Sequence, residues 1–95
     1  MTATLVLAER TDVPVARHHG GVELLFARAQ DAASARGLAV SRDASPESIR
    51  RLAHDGPVLV FTQQEGRLSS AYRAWAEACL AAGAMVVEKN VFALA

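Results

Sequence analysis

Three times along this chain a short apolar run gives way to a segment with helical spacing, and each time a glycine stands where that segment ends. Thr4-Leu5-Val6-Leu7-Ala8 is the first run, and a continuous run of this length suits a strand buried on both faces. From Gly21 the period changes. Val22, Leu25, Phe26, Ala29 and Ala33 recur at helical intervals, with Glu23, Gln30, Asp31 and Ser34 turned away. Gly37 follows where a helix C′ position favours a residue tolerant of positive φ.

Leu38-Ala39-Val40 reads as a second strand. Ser45-Pro46-Glu47 then combines an N-cap serine, a proline at the first helical position and an acid in the first turn. That helix turns Ile49, Leu52 and Ala53 inward and ends at His54-Asp55-Gly56. Pro57-Val58-Leu59-Val60-Phe61 is the third strand. A helix from about Leu68 to Ala82 follows, with Leu68, Ala71, Tyr72, Trp75 and Cys79 inward and Arg73 and Glu77 on the wet face. Gly83 closes it, and Met85-Val86-Val87 opens a fourth strand.

The pattern is β-α-β-α-β-α-β in a single domain spanning residues 1–95. Apolar strands alternating with helices predict an α/β fold: a small three-layer α/β/α sandwich on a mostly parallel four-stranded sheet, Rossmann-like or flavodoxin-like. Strands are expected near 3–8, 38–42, 57–62 and 85–88, and helices near 21–36, 46–55 and 67–82, within a few residues. Order 2-1-3-4 is the expected arrangement, because it puts helices on both faces. The segment after Asn90 is a candidate for an extra edge strand.

Composition narrows the function. The chain is 52% hydrophobic but only 5% aromatic, so its core must come from Ala, Val and Leu. Small side chains bury little area each, at roughly 25 cal/mol per Å², and a thin core favours self-association. A homo-oligomer through the C-terminal segment "NVFALA" is therefore expected. Ten basic and ten acidic residues leave no net field, which argues against nucleic acid as a partner and against an anionic membrane surface. No apolar run approaches the roughly 20 residues a bilayer-spanning helix needs. The N-terminus has neither basic leader nor cleavage site, so a cytoplasmic protein is expected. Cys79, the single cysteine, excludes an intramolecular disulfide and a multi-cysteine zinc site.

Ligands of open parallel sheets bind beyond the carboxyl ends of the strands, where the strand order reverses. Order 2-1-3-4 puts that crevice between the first and third strands. The polar stretches there are Glu9-Arg10-Thr11-Asp12 through His18-His19-Gly20-Gly21, and Thr62-Gln63-Gln64-Glu65-Gly66-Arg67. Arg42-Asp43 and Glu88-Lys89-Asn90 lie farther out on the same edge, whereas the opposite edge has only short glycine turns. The candidate ligand-binding residues are Arg10, Gly20, Gly21, Thr62, Gly66, Arg67 and Ser69.

Gly20-Gly21 before a helix would let backbone N–H groups approach an anion with the helix dipole behind them. Neither G-x-G-x-x-G nor the G-K-[ST] ending of a P-loop is present, and a glycine pair before a helix serves equally as a plain lead-in turn. His18 and His19 are adjacent and point opposite ways in extended chain, so no metal is expected. Either could serve as a general acid or base with Asp12 or Glu65. No cofactor is implied.

The leading expectation is a small ligand-binding or regulatory module, oligomeric, recognising a nucleotide-like or other small anionic ligand. One alternative is a small hydrolase or transferase acting on a nucleoside or glycosidic substrate, with catalytic residues His18, His19, Glu65 and Asp12. Another is a structural protein-interaction subunit.

Overall fold

The computed structural model describes residues 1–9, 21–64 and 69–90. Its elements are β1 (Thr4–Ala8), α1 (Gly21–Ala35), β2 (Ala39–Ser41), α2 (Pro46–Asp55), β3 (Val58–Gln64), α3 (Ser70–Ala81) and β4 (Met85–Asn90). The four strands form one sheet in the order β2-β1-β3-β4, and all three pairings are parallel. The α/β reading of the sequence holds, including the strand order.

Register fixes which side chains share a face. Leu5 lies beside Val40 and Leu59, and Leu59 beside Met85. Leu7 lies beside Phe61, and Phe61 beside Val87. These residues point to one face, where Leu25, Phe26 and Ala33 of α1 pack on Leu5 and Leu7. Val6, Ala8, Val58 and Val60 point to the other, under Ile49 of α2 and Cys79 of α3. Every residue of β1 is buried, as expected for a strand covered on both faces.

The unequal covering follows from the topology. Parallel crossovers share one hand, so reversing direction across the sheet reverses the face on which the helix lies. The β1→β2 step runs one way, while the β2→β3 and β3→β4 steps run the other. One face therefore receives α1 alone and the other receives α2 and α3. On the α1 face the β3–β4 half is left thinly covered: Met85 is 67% exposed and Val87 37%.

Two of the three junction glycines act alike. Leu38 N–H donates to Ala33 C=O and Gly37 N–H to Ser34 C=O, with Gly37 at φ +73°. Ala84 N–H donates to Cys79 C=O and Gly83 N–H to Leu80 C=O, with Gly83 at φ +102°. Both are Schellman endings, which satisfy the last helical carbonyls by placing a left-handed residue at C′. Gly56 differs. Its backbone is extended, and it is required because the carbonyl of Thr2 lies against it.

Several boundaries differ from the sequence expectation. β3 runs on through Gln63 and Gln64, and β4 through Lys89 and Asn90, because these polar residues pair with one another: Gln63 with Lys89 and Gln64 with Asn90. Backbone pairing, not side-chain polarity, decides where these strands stop. α3 starts at Ser70, later than expected, and Ala71 is exposed on its first turn. β2 has three residues, and Ala39 is exposed because the strand is a sheet edge. The suggested extra edge strand falls on residues 91–95, outside the described residues.

Candidate functional site

The expected crevice is where the strand order reverses, between β1 and β3. Ala8 ends β1 directly beside Thr62 of β3, and the chain leaves both strands at the same edge. Beyond Ala8 the next described element starts at Gly21, and beyond Gln64 the next described one starts at Ser70. At the opposite edge each helix returns to its strand within a few residues.

Most candidate side chains fall within those two connections. Arg10, Asp12, His18, His19, Gly20, Glu65, Gly66 and Arg67 lie outside the described residues. Gly21 is the first residue of α1, whose N-terminus therefore opens at the carboxyl edge of the sheet. Thr62 is fully buried on the α2–α3 face, and its hydroxyl donates to Gln63 Oε1 at 3.5 Å. Gln63 is also fully buried. These two polar residues lie near the carboxyl end of β3.

Ser69 caps α3: its Oγ accepts from the Tyr72 N–H at 3.0 Å. It also lines a shallow depression with Ser70, Arg73, Ala74 and Glu77. Tyr72 is buried, and its hydroxyl donates to Glu88 Oε1 at 2.6 Å, tying the start of α3 to the end of β4. Sequence periodicity reveals Tyr72 as an inward residue but not this partner, sixteen positions away in the chain.

Trp75 is half-buried against the core. Its indole N–H donates to the Ala44 carbonyl at 2.7 Å, and its ring lies 5.6 Å from that of Tyr72. Trp75 braces α3 against the β2–α2 connection and Tyr72 ties α3 to β4, so both aromatics act as framework. Arg42, just past β2, holds its guanidinium 5.4 Å from the Phe26 ring centre. Burial pushes the Cys79 thiol up, which keeps it protonated and inert as a nucleophile.

The outer corner beside β2 carries a polar network that the sequence only hints at. Asp43 Oδ2 accepts from the Ser48 hydroxyl at 2.5 Å and Asp43 Oδ1 from the Ser45 N–H at 3.1 Å. Arg51 donates to Ser48 Oγ at 3.0 Å, while Ser45 Oγ accepts from the Ser48 N–H. The spacing D-x-S-x-x-S just before a helix was the available signal. The Ser48 hydroxyl, then the Ser45 backbone and side chain, hold the Asp43 carboxyl below its ordinary value, with Arg51 adding a smaller attraction.

A carboxylate whose folded value is depressed stabilises the fold above its unfolded value and loses that contribution as pH falls through the folded one. Asp43→Asn is therefore expected to lower the urea midpoint at neutral pH. The gap between variant and parent should close as pH drops below the ordinary aspartate value and through the lower one that Asp43 has in the fold. Urea melts across that range check it; a gap that widens in acid would refute the assignment.

Among the described residues no group of three or more His, Cys, Asp or Glu side chains is arranged to hold a metal ion. No helix described is long and apolar enough to cross a membrane. No protein-family model, curated protein or solved structure matches this chain.

Proposed function

We propose that this protein is a small self-associating module that binds a nucleotide-like or other small anionic ligand at the carboxyl edge of its sheet. The observation that carries this reading is the reversal of strand order between β1 and β3. The two longest polar connections of the chain leave from those two strands. In open parallel sheets this is where bound ligands lie, because diverging crossovers leave a crevice there and helix N-termini point into it.

Charge favours a modest ligand over a polyanion. Arg10, Arg17, Arg42, Arg67 and Lys89 on these edge segments are matched in number by Glu9, Asp12, Asp43, Glu65 and Glu88. Arginine forks then give directional hydrogen bonds to a phosphate or carboxylate without a strong overall positive field. The N–H groups at the start of α1, from Gly21 onward, supply the neutral donors.

Thermal-shift titration against nucleotides and sugar phosphates tests the reading. A ligand at a hundred times its dissociation constant stabilises by about 2.7 kcal/mol, equivalent to roughly 10–20 °C in a domain of this size. Arg67→Ala or Gly21→Val is expected to abolish the shift and leave the ligand-free melting temperature nearly unchanged. If no such compound shifts the melt at millimolar concentration, or if binding survives both substitutions, the reading fails.

A further inference from the structure

Among the described residues, the large hydrophobics left exposed are Met1, Leu24, Leu80, Met85 and Val87. Three of these five border one line, the outer edge of β4. β4 ends the sheet, so among the described residues its backbone has a strand neighbour on one side only. Met85 and Val87 share the α1 face with Leu59 and Phe61, their register partners on β3.

Leu80 borders the same edge from the other face. Trp75 turns toward the β2–α2 connection through its bond to Ala44. Leu80, five residues later, lies about 140° around the helix from it. That direction is the flank of α3 away from α2, on the open side of β4. Leu80 is 56% exposed there. Among the described residues this strand edge is thus unpaired and lipped by apolar side chains above and below.

We propose that this edge is a two-fold interface, at which β4 pairs antiparallel with β4 of a second copy about Val87. The proposal rests on the self-association part of the reading above and specifies its surface; it is independent of the ligand. A strand edge with apolar borders on both faces fits a partner offering another strand with the same borders, and a second copy supplies that by symmetry.

Charge selects the register. With Val87 opposite the partner's Val87, Met85 faces the partner's Lys89 and Val86 faces the partner's Glu88. All of Met85–Lys89 is then paired with no like charges opposed. The Lys89 stem can lie along the methionine with its ammonium in water. Moving the centre to Glu88 or Lys89 sets like charges directly opposite, which is destabilising. Centring on Val86 leaves only Met85–Val87 paired within β4.

Sedimentation equilibrium at about 100 μM, where a micromolar interface is saturated, gives the test. The parent protein is expected to be a dimer. Val87→Lys, which opposes two ammonium groups at the centre, and Leu80→Glu, on the helical border, should each raise the dissociation constant at least about tenfold. Both positions are exposed, so circular-dichroism melts should show the fold retained. In a Cys79→Ala background, Val87→Cys should form an inter-chain disulfide on mild oxidation and Glu88→Cys should not. A dimer that survives both charge variants overturns the β4 edge while leaving association through residues 91–95 standing. A monomeric parent overturns association altogether. A disulfide at Glu88→Cys and not at Val87→Cys overturns the register. None of these outcomes bears on ligand binding, which the thermal-shift titration reads separately.

Discussion

Phe26→Ala is expected to lower the melting temperature by roughly 15–30 °C. Among the described residues Phe26 is the largest fully buried side chain, and it sits in a chain with few aromatics. It belongs to the cluster that joins α1 to the sheet, with Leu5, Leu7, Leu25 and Ala33. Among the described residues α1 is the only helix on that face, so none of the other described helices is placed to fill the void. Truncating a buried Phe typically costs about 3–5 kcal/mol, a large share of what a domain of this size has to spare. The ring is also the surface over which Arg42 lies, and its loss frees that side chain. Calorimetry or a circular-dichroism melt reads the effect. A fall of under about 5 °C would mean that the α1 layer contributes little, contrary to the packing described.

That cluster was legible from the sequence. Val22, Leu25, Phe26, Ala29 and Ala33 repeat at helical spacing, and burial of Leu25, Phe26 and Ala33 follows that stripe. The order β2-β1-β3-β4 was also accessible, because apolar strands joined by helices have few packings that cover both faces. Edges were harder to read. Lys89 and Asn90 look like loop residues, yet they continue β4 because Gln63 and Gln64 offer them a ladder. Pairing of this kind is a property of two segments together, and periodicity within one segment carries no trace of it. The Tyr72–Glu88 and Trp75–Ala44 bonds were hidden for the same reason.

For the site, the sequence indicated the edge and supplied candidate side chains, but not their geometry. Ser69 appears in the role its position before a helix suggests, as a cap. Thr62, expected at the end of the third strand and among the ligand-binding residues, is a strand residue and fully buried. The half-covered α1 face had a topological signal. With three helices and one reversal of direction, one face must receive a single helix, and Met85 and Val87 lie on the half it does not reach.

Gly56→Ala is expected to cost about 1–3 kcal/mol, in the range of overpacking a closed site, and so to lower the melting temperature by roughly 5–20 °C. In sequence Gly56 looks like Gly37 and Gly83, a glycine between a helix and a strand. Its backbone, at φ 166°, is extended and open to any residue, so conformational preference predicts almost no cost. Space predicts otherwise. A Cβ at position 56 would lie 2.2 Å from the Thr2 carbonyl oxygen and 2.7 Å from its carbon, both backbone atoms. To make room, the strand leading into β1 must move, which breaks the bond from Thr2 N–H to Asp55 C=O and strains that from Thr4 N–H to Pro57 C=O. Gly37 is the control. Its φ of +73° penalises a side chain, but a Cβ there meets nothing within 4 Å, so Gly37→Ala should cost only about 1 kcal/mol, a conformational penalty alone. Paired melts of the two variants separate the explanations. If Gly37→Ala proves the more damaging, close approach at Gly56 is not what holds the first strand against the end of α2.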